Sequence, residues 1–270
     1  MSLAVTALVA AAGSVALQAQ DKKPEEKKPA EKKPEEKKRW ESTASVGITL
    51  SRGNSKGFLA SAGLITQRKW SKDEILLGAN GGYGESTAVR RADKTKDVTT
   101  KSDDYLKGFG QWNHLFTERL YGGLRLDGVH DDIADVNYRV TVSPLLGYYL
   151  VKRPATTLAA EVGPSYIYEQ VGGETHGYFG VRAGERFEHK FKTGARVWQK
   201  AEIIPQVDEW ENYIVNLELG AEAPITKRLS LRAVAQDTYD NQPAEVRGAA
   251  GTHHKLKNDL KLIAGLAYKF

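Results

Sequence analysis

The residues best equipped for chemistry in this chain sit in one short stretch: Asp127, His130, Asp131 and Asp132. A histidine titrates near neutral pH and a carboxylate beside it can orient the ring, so this set could activate a water molecule for hydrolysis. The competing reading is a solvated loop, because Asp favours turns by bonding its own backbone. His130, His176, His253 and His254 fall in expected loops, and none has metal-ligand spacing along one element. No metal and no cofactor is therefore expected. The count of 0 Cys removes thiol nucleophiles, thiolate metal sites and disulfides together, and no phosphate-cradling glycine loop ending in Lys-Ser or Lys-Thr occurs.

A larger polar set suggests a lining rather than a catalytic centre. Arg125, Asp127, Arg139, Glu161, Arg182, Arg186, Glu188, Lys200, Glu202, Glu218, Glu222, Arg232, Asp259 and Lys261 occupy the parity opposite to an alternating apolar set. Alternation with period two marks strands with unlike faces. It is plain in Ala44/Val46/Ile48/Leu50, in Tyr138/Val140/Val142/Pro144/Leu146/Tyr148, in Tyr213/Val215/Leu217/Leu219/Ala221 and in Leu260/Leu262/Ala264/Leu266/Tyr268/Phe270. With the weaker runs near 57–70, 104–116 and 195–207, the pattern predicts about twelve strands, longer than is usual in soluble sheets.

Tight links near 71–73, 117–119, 152–154, 191–194 and 225–227 alternate with longer polar loops expected at 84–103, 130–136, 170–177 and 240–255. Short turns on one rim, long loops on the other and an even strand number describe an outer-membrane barrel with both termini periplasmic. The aromatics support this. Tyr83, Tyr138, Tyr168, Phe179, Tyr213 and Tyr239 fall toward the loops, and Trp40, Trp70, Tyr148, Phe187 and Phe270 toward the turns, as two interfacial belts would. The expected fold class is all-β, a transmembrane antiparallel β-barrel with up-and-down meander topology, and the charged set lines its lumen. Glu161 then faces the strand of Arg182 and Arg186, and Glu218 that of Arg232. Such pairs either cross-link a narrow lumen or line a conducting one, and their near balance of sign predicts weak ion selectivity. Glu185 falls on the apolar side, where a bulge near Gly184 would turn it inward.

Composition bounds the rest. The 270 residues are 40% hydrophobic and 27% charged, with a mean hydropathy of −0.48, and hold no apolar run of the roughly 20 residues that a spanning helix needs. Residues 1–20 read as a secretory signal peptide, apolar from Leu3 to Leu17 and followed by abrupt charge. Residues 21–39 repeat KKPEE, KKPAE and KKPEE, a disordered spacer in which proline interrupts helix and nothing apolar can be buried. Of the net charge of +5, this spacer supplies +3 (nine basic minus six acidic residues), leaving +2 for residues 40–270. So weak and dispersed a surplus is no nucleic-acid footprint.

Short motifs carry a family resemblance. The Gly53-Asn54-Ser55 turn, the Asp131-Asp132 pair leading to Tyr138-Arg139, the Gly147-Tyr148 strand end and the closing Leu266-Ala267-Tyr268-Lys269-Phe270 resemble the YdiY-like outer-membrane family. That family is labelled salt-stress-induced outer-membrane protein and is otherwise a domain of unknown function. The resemblance covers 40–270 and implies a barrel in a Gram-negative outer membrane, with no catalytic residues to carry over. Tyr268 and Phe270 resemble the C-terminal aromatic signal read by barrel-assembly machinery. The expectation is a non-enzymatic, porin-like barrel that passes small solutes or ions, or maintains the envelope under salt stress, among outer-membrane lipids and lipopolysaccharide. The alternatives are a surface hydrolase using His130 with Asp127, Asp131 and Asp132, and a structural anchor whose spacer reaches peptidoglycan or a periplasmic protein.

Overall fold

A computed structural model of the chain describes residues 40–52, 55–88, 98–243, 245–248, 251–254 and 256–270. The expected signal peptide (1–20), the spacer (21–39) and the Gly53-Asn54 turn lie outside the described residues. Twelve strands close into one antiparallel barrel: β1 (Glu41–Arg52), β2 (Ser55–Lys69), β3 (Asp73–Ala88), β4 (Val98–Leu115), β5 (Leu120–Asp131), β6 (Val136–Lys152), β7 (Thr156–Val171), β8 (Glu174–Lys190), β9 (Arg196–Pro205), β10 (Tyr213–Pro224), β11 (Leu229–Asp240) and β14 (Asn258–Lys269). Each pairs with its neighbour in the chain, and β12 (Glu245–Gly248) with β13 (Gly251–His254) forms a separate hairpin between β11 and β14. The barrel closes where β1 meets β14. That seam holds five residue pairs, Thr43↔Lys269 to Gly47↔Gly265, against twelve between β1 and β2.

Period two in the sequence becomes inside and outside. Along β6, Thr141, Ser143, Leu145, Gly147 and Tyr149 are buried while Val140, Val142, Pro144, Leu146, Tyr148 and Leu150 are exposed. The usual sorting is reversed: Ser143 has 0% exposure and Leu146 51%. An apolar outside around a polar inside suits hydrocarbon as the surrounding solvent. Aromatics pair on the outer face at the loop-bearing rim, Tyr138 with Tyr168 at 5.8 Å, Tyr166 with Phe179 at 5.0 Å and Tyr213 with Tyr239 at 5.9 Å between ring centroids. Tyr148, Phe191 and Phe270 stand exposed at the opposite rim, where every connection is a tight turn.

The loop-bearing rim is less open than the polarity of its sequence suggests. The expected loop at 170–177 is a two-residue turn, Gly172-Gly173, with φ of 60° and 82°. Both values suit the mirror-image turns that match strand twist. Gln170, Glu174, Thr175 and His176 continue the β7–β8 ladder. The expected loop at 130–136 shrinks to residues 132–135, and that at 84–103 narrows to 89–97, because β3 runs to Ala88 and β4 starts at Val98. Polar residues here extend strands beyond the apolar band, so polarity alone misplaced the loops. Glu185 receives no bulge. β7 and β8 pair without a register shift, as do β8 and β9, leaving Glu185 on the outer face, where Gln199 Nε2 donates to it at 2.5 Å.

Candidate functional site

The lumen has two unlike walls. β1 to β3 turn small side chains inward, among them Ser45, Gly47, Ser61, Gly63, Gly78 and Asn80. β5 to β11 turn charged ones inward. Between these walls lies a cavity of about 300 Å³, lined by both.

Glu161 is the hub of the charged wall. Its side chain is 1% exposed and accepts from Arg182 Nη1 at 3.1 Å, Arg186 Nη2 at 2.8 Å, Gln111 Nε2 at 2.8 Å and Tyr121 Oη at 2.8 Å. Those four donors fill the lone pairs of a carboxylate, which is what burying its charge requires. Arg182 also holds Glu202 at 2.5 Å, Arg125 holds Asp127 at 2.6 Å and Lys200 holds Glu218 at 2.9 Å. Arg196 bridges Glu222 at 2.7 Å and Glu188 at 3.2 Å.

Two ties cross the lumen at the loop-bearing end. Lys261 on β14 lies 3.8 Å from Asp103 on β4 and 3.7 Å from Asp131 on β5, touches Asp259, and sets its ammonium 4.4 Å from the Tyr105 ring centroid. Arg139 on β6 reaches Asp240 on β11 at 3.2 Å while pairing with Glu169 on β7. β1, β2 and β3 separate β14 from β4, so these contacts span the mouth rather than follow the wall.

Inward aromatics lie flat on glycines of the next strand. Tyr105 opposes Gly82, Phe109 opposes Gly78, Tyr121 opposes Gly147 and Trp198 opposes Gly220. A Cβ on Gly78 would stand 2.4 Å from the Phe109 ring, and one on Gly220 1.9 Å from the Trp198 ring. Without that atom each ring can fold against the wall instead of projecting into the cavity.

All fourteen charged residues of the sequence-derived set lie on inward-facing positions of the strands, from Arg125 on β5 to Lys261 on β14. Glu218 faces the strand of Arg232, because β10 pairs with β11, but its bonds go to Lys200, Trp198 and Gln236, and the Arg232 guanidinium lies over Trp198 at 4.8 Å. The sequence reading also missed Asp103, Glu169 and Asp240, which lie toward the loop ends of their strands, and Lys107, which sits mid-way along β4 where the apolar alternation is weak.

The acidic stretch around His130 splits between two sides. Asp127 is held inward by Arg125, and Asp131 turns inward and caps the turn by accepting from the backbone N–H groups of Ile133 and Ala134. His130 Nδ1 lies 2.8 Å from the Asn137 carbonyl and Nε2 3.3 Å from Asp132. Asp132 is in turn bound by Lys101 at 3.0 Å, and that hydrogen bond holds its carboxyl below the usual range. A carboxylate so engaged is a poor base. Gly53-Asn54-Ser55-Lys56-Gly57 has the spacing of a hydrolase nucleophile elbow, but Ser55 opens the strand β2, where the elbow would start a helix. Among the described residues no three His, Cys, Asp or Glu side chains gather as a metal site.

Residues 44–270 match the model of a family described as a protein of unknown function, DUF481. No curated protein matches the sequence. Among solved structures, the chain is similar to the NanC porin, at 7% identity over 84% of this chain and 100% of that one, with a TM-score of 0.49. It is similar also to an outer membrane channel from Pseudomonas putida F1, at 9% identity over 91% of this chain and 100% of that one, with a TM-score of 0.46. The translocator domain of the autotransporter NalP from Neisseria meningitidis aligns at 13% identity over 86% of this chain and 87% of that one, with a TM-score of 0.42.

Proposed function

We propose, from the premise that this chain belongs to the DUF481 family of proteins of unknown function, that it is an outer-membrane barrel through which small hydrophilic solutes and ions pass passively. The observation that carries this reading is the cavity of about 300 Å³ between a glycine- and serine-rich wall and a wall of charged side chains, most of them in ion pairs. Close packing is the rule in protein interiors, and a lumen built for stability alone would close such a cavity with projecting side chains, whereas Gly78 lets the Phe109 ring fold back against the wall. Twelve strands also exceed the eight at which side chains fill a barrel.

The apolar band would meet outer-membrane lipid, with lipopolysaccharide around the loop-bearing rim and both ends of the barrel at the periplasmic, tight-turn rim. Tyr268 and Phe270, stacked at 6.4 Å beside the seam, would serve as the assembly signal. A role in envelope maintenance under salt stress rests on the YdiY-like resemblance, and residues 21–39 could reach peptidoglycan or a periplasmic protein. Single-channel recording of the full chain in planar bilayers tests the central reading. Current steps that grow with salt concentration are expected; a folded, heat-modifiable protein that stays silent would overturn it. Loss of growth at raised salt in a deletion strain, restored by the intact gene, tests the envelope role.

A further inference from the structure

We infer that the lumen selects small anions, inorganic anions and monocarboxylates, through Lys107 and Arg232, two cations that form no ion pair among the described residues. The inference rests on the channel reading above. The inward carboxylates of the cavity are already engaged: Asp127 by Arg125, Glu202 by Arg182 and Glu218 by Lys200. Lys107 and Arg232 line the same cavity, yet neither makes a hydrogen bond or an ion pair with any described residue. Each packs against an aromatic face instead. Lys107 Nζ is 5.7 Å from the Tyr105 ring centroid, and the Arg232 guanidinium 4.8 Å from that of Trp198. An aromatic face supports a cation without neutralising it.

Both side chains belong to the cavity lining. β4 and β11 stand nearly opposite each other around the barrel. Lys107 is eight residues from the turn end of β4, and Arg232 three from the turn end of β11. A permeating ion therefore meets, one after the other and on facing walls, two cations that have no ion pair among the described residues. Counting charges along the chain predicted weak selectivity, but counting treats all charges alike. A carboxylate bonded to a guanidinium contributes little field to the lumen, while a cation without a direct ion pair leaves more of its attraction for a passing anion.

The test is the reversal potential of the full-length protein in planar bilayers under a KCl gradient. The expected chloride-to-potassium permeability ratio is about 3 or more, because charge in a narrow, low-dielectric passage concentrates counter-ions. In K107Q/R232Q the ratio should fall toward unity, while Lys107→Arg retains it. Heat-modifiable migration checks that each variant folds, and the single variants K107Q and R232Q serve if the double one does not. A wild type with no current steps would sink the channel reading and this inference with it. Steps without anion preference, or a preference unmoved by the variants, would overturn the inference alone.

Discussion

Glu161 draws donors from three strands other than its own, two guanidiniums from β8 and an amide and a phenol from β4 and β5. Glu161→Ala leaves both guanidiniums in a buried place without their shared counter-charge, which costs about 3–5 kcal/mol. The expected readout is a lower urea midpoint for the folded, fast-migrating band, with Glu161→Gln falling less far because it keeps hydrogen-bonding atoms in place. Gly78 acts through what it lacks. Gly78→Ala sets a methyl 2.4 Å from the Phe109 ring and swings that ring off the wall into the cavity, so single-channel conductance should drop while the protein still folds. At this scale the sequence could assign a face to a charge wherever parity was clear, since parity is local, though it passed over Asp103, Lys107, Glu169 and Asp240. It could not show which of them meet, because Arg232 over Trp198 and Lys261 beside Asp131 depend on register and curvature accumulated over several strands.

For the strands, alternation and tight turns were legible wherever one face is apolar throughout, as in β1, β6, β10 and β14. The exceptions lie above the apolar band. There both faces of β7 and β8 are wet, so Gln170, Glu174 and His176 resemble a loop although they stay in the ladder down to a glycine turn. The two faces should respond oppositely to substitution. Leu146→Arg, on the exposed face of β6, places a charge against lipid and should cost about 2–4 kcal/mol near the membrane midplane. The same charge introduced at Asn216, which lines the cavity on β10, should leave the unfolding midpoint nearly unchanged. Urea titration of the two variants side by side separates these outcomes.

For the whole molecule, the lumen is lined by small side chains along its Gly/Ser wall and tied across at the mouth, where Arg139 meets Asp240 and Lys261 meets Asp103 and Asp131. Cutting one tie with Asp240→Asn should raise mean conductance and shorten closed intervals in bilayer records, whereas an unchanged trace would mean that the solute path runs clear of Arg139. The five-pair seam has a consequence of another kind, in time rather than in space. It joins the strands most distant in sequence, so the chain between them must already be wound before the pairing can form, and the entropy of closing so long a loop is recovered only then. Until that moment β1 and β14 each present an open edge able to template pairing with another chain. The order of assembly thus makes the shortest ladder of the barrel the final one, and the interval before it forms is when this barrel is most exposed to joining the wrong neighbour.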